Sequence, residues 1–229
     1  MKKILTIILA LVLTASVFAL AACNFDFDST WDFKADNYDD AIALFEEFFA
    51  DTIKQTNVTS TVNDGEDDCT YYVDGDKAYS ISGNFKHYSY VQDGEYYYGW
   101  VLEDEDSVSG MIMKGKDLYD DNYPGFTFYF TPYYMLEETA TFNCEVKGSS
   151  KKENGAETTE ATLKLTATLG QENLVVNAKA VNGLVTEYDY AYSYFDEDEQ
   201  DTVTVTINQT LEYGSAHIDI PDLSEYLVE

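Results

Sequence analysis

The sequence predicts an α+β chain, with an N-terminal helix packed on a strongly curved antiparallel sheet that forms an open half-barrel. Three observations lead there. Residues 38–54 repeat apolar side chains at helical spacing. After Asn57 the period falls from 3.6 to 2. The alternating runs are punctuated by Asp74-Gly75, Asp93-Gly94 and Asn182-Gly183, dipeptides that favour tight hairpins. A helix followed by about eight to ten antiparallel strands buries its apolar surfaces when the sheet wraps around it.

The helix covers Tyr38 to Lys54. Asp36 or Asn37 caps it, and Asp39 and Asp40 sit in the first turn, where the helix dipole favours acids. Ile42, Phe45, Phe49 and Ile53 form its apolar stripe, widened by Ala41, Leu44 and Phe48, with Glu46, Glu47 and Asp51 opposite. Hairpins follow at 71–82 and 88–102. Met111–Met113 is a short strand, Phe126–Phe130 a strong one, and Pro132–Glu138 a short helix or turn. Phe142–Lys147 and Thr159–Leu169 flank a polar turn at Gly148–Gly155. Residues 173–213 form a three-strand meander. On its middle strand Leu184, Thr186, Tyr188, Tyr190, Tyr192 and Tyr194 share one face. On its last strand Val203, Val205, Ile207, Leu211 and Tyr213 do the same, a pattern that leaves one face wet.

The N-terminus reads Met1-Lys2-Lys3, an apolar run from Ile4 to Leu20, then Ala21-Ala22-Cys23. That is the layout of a secretory signal peptide. The run approaches the ~20 residues of a membrane span, but Thr6, Thr14 and Ser16 interrupt it. Leu20-Ala21-Ala22-Cys23 resembles a bacterial lipobox, which implies lipidation of Cys23 and cleavage before it. Three segments follow: a signal peptide at 1–22, a lipidated tether at 23–36 and a single domain at 37–229. Phe25, Phe27, Trp31 and Phe33 are apolar for a tether and are expected to dock on the body. The expected address is extracytoplasmic, lipid-anchored to the outer face of the cell membrane; two acyl chains give stable anchoring where one does not.

The net charge is −30, and all 13 basic residues are lysine. Removing residues 1–22 takes away Lys2 and Lys3 and no acid, which makes the charge −32. Such a chain is excluded from nucleic-acid binding, which needs clustered cations, and is repelled by anionic lipid. With 45% hydrophobic residues, 20 Tyr and 13 Phe, it has material for a core and is not disordered. Cys69 and Cys144 both lie on the apolar parity of a strand. They are either a disulfide, which by chain entropy adds up to ~4.5 kcal/mol, or two buried thiols.

The lipobox, the helix, the meander and the ending Glu212-Tyr213-Gly214 with Ile218-Asp219-Ile220-Pro221 together resemble the LolA/LppX-like superfamily of lipoproteins and lipoprotein carriers. The resemblance covers roughly residues 37 to 221 and is topological. It implies a hollow between sheet and helix that holds acyl chains. The LolA carrier latches its lid with an arginine, and this chain has none.

No nucleophile, metal or phosphate motif is present, so the chain is not expected to be an enzyme or to carry a cofactor or metal. His87 and His217 read as surface or edge histidines, the second just ahead of a strand at Ile218–Ile220. Ser149-Ser150-Lys151-Lys152 has S-x-x-K spacing without its companion motifs. The acidic runs 103–106 and 196–199 lack Ca²⁺-loop spacing and read as solvated hairpin tips. The aromatic clusters remain, among them Tyr96, Tyr97, Tyr98 and Trp100. Ile42, Phe45, Phe48, Phe49, Phe128, Phe130, Tyr188, Tyr190 and Tyr192 are candidates to line a hydrophobic cavity, with core packing as the other reading. Two functions follow. One is a lipid-anchored binding module for a hydrophobic small molecule or lipid. The other is a surface interaction or sensory lipoprotein with a solid core that meets its partner through exposed tyrosines.

Overall fold

A computed structural model describes residues 29–63, 65, 68–104, 107–115, 140–153, 156–196 and 200–228. The lipobox at 20–23, Phe128 and Phe130, and the strand and short helix expected at 126–138 lie outside these residues. So do Glu105, Asp106 and residues 197–199 of the acidic runs.

In chain order the elements are β1 (Ser29–Ala35), α1 (Tyr38–Phe49), β2 (Asn57–Asn63), β3 (Asp68–Asp74), β4 (Lys77–Ser82), β5 (Phe85–Gln92), β6 (Glu95–Asp104) and β7 (Ser107–Lys114). Then come β8 (Thr141–Glu153), β9 (Ala156–Leu169), β10 (Glu172–Val181), β11 (Leu184–Asp196), β12 (Asp201–Tyr213), a 3-10 turn at Ser224–Tyr226 and β13 (Leu227–Val228). The strands form one sheet in the order β1-β8-β9-β10-β11-β12-β2-β3-β4-β5-β6-β7-β13. Every pairing is antiparallel except β7 with β13. The sheet does not close; β1 and β13 are its edges. The architecture is therefore α+β and dominated by the sheet, with more strands among the described residues than the sequence led us to expect.

The helix begins as its residues dictate. Asn37 Oδ1 accepts the Asp40 N–H at 3.2 Å, and Asn37 Nδ2 donates to the Asp40 carboxylate at 2.8 Å. It ends at Phe49, not Lys54. Thr52 is wholly buried and accepts the Val185 N–H at 2.9 Å, while Tyr213 donates its hydroxyl to the Val185 carbonyl. Two side chains thus hold both polar groups of Val185 and draw the chain out of the helix. Ile53, expected on the apolar stripe, is 46% exposed as a result.

Three further expectations change. Residues 29–35 are a strand, not tether: β1 pairs with β8, and Trp31 faces Gly148. A Cβ on Gly148 would come within 2.2 Å of the Trp31 ring, so the missing side chain gives the indole its seat. The polar turn at 148–155 is mostly strand, because β8 runs on to Glu153, with Ser150 buried and donating to Glu157. Residues 218–220 form no strand; they belong to a strap described below. The turns at 93–94 and 182–183 are as expected, with φ of 54° and 79°, then 52° and 81°.

Cys69 and Cys144 form no disulfide with each other. They stand on β3 and β8, with five strands between in the sheet order. Strands lie ~4.8 Å apart, while a disulfide tolerates Cα separations of at most ~7 Å. Cys144 is a fully buried thiol, and burial pushes its pKa up to about 11.

Two cores hold the sheet. The first packs Ala41, Phe45 and Phe49 of α1 on residues of β8 to β11, including Cys144, Leu165, Val176 and Tyr188. The second joins Tyr88, Tyr90, Val101 and Ile112 to Leu223 from the C-terminal strap. Residues paired across antiparallel strands share a face. Tyr188 faces Gln209, which faces Val62, then Cys69, Ser82 and Phe85 in turn. Tyr88 and Tyr90 differ in parity from Phe85. The two cores therefore lie on opposite faces of one sheet.

At Gly99 the backbones of β6 and β7 leave no room for a side chain: a Cβ would stand 2.0 Å from the Met111 carbonyl oxygen. Gly99→Ala should therefore cost about 3 kcal/mol by overpacking, read by denaturant unfolding. A loss under about 1 kcal/mol would show that β6 and β7 do not approach so closely.

Candidate functional site

The helix candidates do meet the β11 tyrosines. Phe45 and Phe49 rings lie 4.8 Å apart, and Phe49 meets Tyr188 edge-on at 5.6 Å. Ile42, Phe48, Tyr190 and Tyr192 pack around them, half-buried. These rings are in direct contact with one another. Edge-to-face pairs of this kind add about 0.5–1.5 kcal/mol beyond their burial.

The same face carries an aromatic surface in the other half of the sheet. Phe85 is 41% exposed and stacks on Trp100 at 5.9 Å. Met111 stands beside Trp100, and Met113 beside Tyr98, whose hydroxyl points at the Met113 sulfur from 4.0 Å. Tyr96, next along β6, is 44% exposed. Hairpin parity places Tyr96, Tyr98 and Trp100 on one side of β6. Aromatic residues and methionine are the types enriched at protein interfaces.

Behind the helix-side core, the opposite face of β8 to β11 is polar. It holds a shallow, open hollow of about 430 Å³. Lys147, Lys164 and Lys179 meet Glu145, Glu187 and Asp189 there, a local balance on a strongly acidic chain. Lys179 reaches Glu187 at 3.2 Å, and Asn177 donates to Asp189 at 2.7 Å. Glu145 accepts from Lys147 at 2.6 Å and from Lys34 at 2.5 Å. The Lys147 and then the Lys34 hydrogen bond pull its carboxyl from 4.5 down to about 2.

Chemistry is sparse. Ser149 and Lys152, three residues apart on a strand, point to opposite faces, so their spacing does not bring hydroxyl and amine together. His217 is exposed and lies 3.4 Å from Asp219. Glu103 and Asp104 of the first acidic run are engaged by Lys86 at 2.5 Å and Asn84 at 2.6 Å. Among the described residues no three His, Cys, Asp or Glu side chains gather to hold a metal, and no helix is long and apolar enough to cross a membrane.

Sequence reasoning singled out Trp100 and the tyrosines of β6 because they cluster in the chain. It missed the Lys34–Glu145–Lys147 triad. Glu145 and Lys147 share strand parity, but Lys34 joins them only through the β1–β8 register. A comparison with family models and one with curated protein sequences each find no match for this chain.

The Glu145 carboxyl has a folded pKa below its unfolded value. Any stability from the triad is therefore present above about 4.5 and lost as pH falls towards 2. Being at the surface, the triad contributes little; the pKa itself is the readout. An NMR titration should place Glu145 near 2 in the parent chain and near 4.5 in Lys34→Ala/Lys147→Ala. A midpoint near 4.5 in both proteins would remove the triad.

Proposed function

We propose that this chain is a lipid-anchored extracytoplasmic protein, not an enzyme, that binds a protein partner on the aromatic surface of β5 to β7. The carrying observation is the stack of exposed Phe85 on half-buried Trp100, flanked by Tyr96, Tyr98, Met111 and Met113. Truncating such anchors typically costs more than about 2 kcal/mol at interfaces where they are central. With a net charge of −30, the favoured partner presents a neutral or basic surface.

The other expectation, a lipid or hydrophobic small molecule held between helix and sheet, draws on the LolA/LppX-like resemblance. The ring contacts from Phe45 through Phe49 to Tyr188 favour the partner-binding reading, because they use that space for packing. Under either reading the lipobox supplies the anchor through Cys23.

Two measurements test these readings. Radiolabelled palmitate should enter the parent chain and not Cys23→Ser, which should be released from the membrane; equal labelling of both would refute the anchor. On the purified mature chain, a neutral apolar probe such as N-phenyl-1-naphthylamine avoids repulsion by the negative charge. Trp100→Ala should cut its binding about thirtyfold, the equivalent of about 2 kcal/mol for a lost aromatic anchor, and Phe48→Ala should leave it unchanged. The reverse pattern would place the apolar site between helix and sheet.

A further inference from the structure

The C-terminal strap crosses the face opposite the Phe85–Trp100 patch. Residues 215–223 have no helix or strand, yet Ala216, Ile218 and Leu223 are buried. Leu223 packs on Tyr88 and Tyr90, with Tyr79, Tyr97, Ile220 and Tyr226 around them. The tyrosines form a stacked floor. Tyr79 meets Tyr72 at 5.7 Å and Tyr88 at 5.1 Å, and Tyr90 meets Tyr97 at 5.4 Å. Burial pushes the Tyr88 phenol up to about 12.

The strap is gripped largely by its main chain. Asn57 accepts the Ala216 N–H at 2.9 Å and donates to the Ala216 carbonyl at 2.8 Å. Lys77 donates to the Ile218 carbonyl at 3.2 Å. At the far end Leu227 and Val228 pair with Ile112 and Met113, the single parallel pairing among the described residues. Main-chain grips with pockets for spaced apolar side chains are how proteins recognise extended peptides. Exposed His217 and Asp219 alternate with buried Ala216 and Ile218 and half-buried Ile220, and Pro221 and Asp222 are exposed before buried Leu223.

We propose that the tyrosine trough is a peptide-binding site filled in cis by this strap. It accepts in trans an extended peptide that is apolar at the places of Ile218, Ile220 and Leu223. Lys77 and Asn57 hold the peptide's main chain at the places of Ile218 and Ala216 and fix its register. The trough lies on the other face from the patch at Phe85 and Trp100, so either site stands or falls without the other.

The test uses the full chain with a protease site inserted between Gly214 and Ser215. After cleavage the strap should stay bound on gel filtration and exchange with a fluorescein-labelled peptide of residues 215–228, read by anisotropy. A peptide with Leu223→Ala should compete about tenfold less well, for want of one buried leucine. A strap that never exchanges from a folded, cleaved protein overturns the proposal. So does a strap that leaves without the peptide rebinding, or a loss of the sheet signal in circular dichroism on cleavage. In the uncleaved chain, amides of 216–228 should exchange hydrogen faster than those of β5 and β6. Exchange of both only by global unfolding would likewise overturn it.

Discussion

The pairing of β12 with β2 is the constraint on which the rest depends. Six residue pairs run from Asn208 with Asn63 to Tyr213 with Val58. They join strands about 150 residues apart in the chain and fuse the C-terminal meander to the N-terminal hairpins. Gln209 stands at the seam and donates to Ser60 at 2.6 Å, buried. Its side-chain Oε1 has no hydrogen-bond partner, at a cost of about 1–3 kcal/mol. In the series Val203, Val205, Ile207, Leu211 and Tyr213, position 209 is the polar break. A slip of one residue would send every one of these side chains to the other face.

Because the seam makes one sheet of two halves, each half needs its own cover. The helix covers one face and the strap the other. The strap starts from the seam itself: Gly214 donates its N–H to the Asn57 carbonyl at 3.0 Å, and the Asn57 side chain takes Ala216. Register at β2 therefore sets the position of the second cover. Each half shows its uncovered side to the surroundings. One such side is the polar hollow with its charge ladder. The other is the aromatic surface at Phe85 and Trp100.

Local signals in the sequence were legible because their causes are local. Asn37 caps a helix within three residues, and Asn182-Gly183 turns a hairpin within two. The alternation along 188–194 needs only strand parity, and its tyrosines do share the helix side; Leu184, expected on that face, is not there, because a bulge at Thr186 shifts the register and turns Val185 inward instead. What escaped depends on partners distant in the chain. Trp31 reads as an odd residue in a tether until Gly148 is known to face it. Residues 50–54 continue the helical pattern, and only the Thr52 contact with Val185 ends it. Cys69 and Cys144 both have inward parity, which says nothing of the five strands between them. The strap lacks any period, so no pattern announces it. The change of buried face has the same origin: both faces of β5 and β6 carry aromatics, and the sequence does not say which one the strap covers.

Native-state hydrogen exchange under low denaturant tests the seam most directly. If β12 and β2 bind the halves into one sheet, amides of 58–62 and 209–213 open only with global unfolding, alongside those of β9 and β10. Seam amides that open at lower free energy, while each half stays protected on its own, would contradict a single sheet.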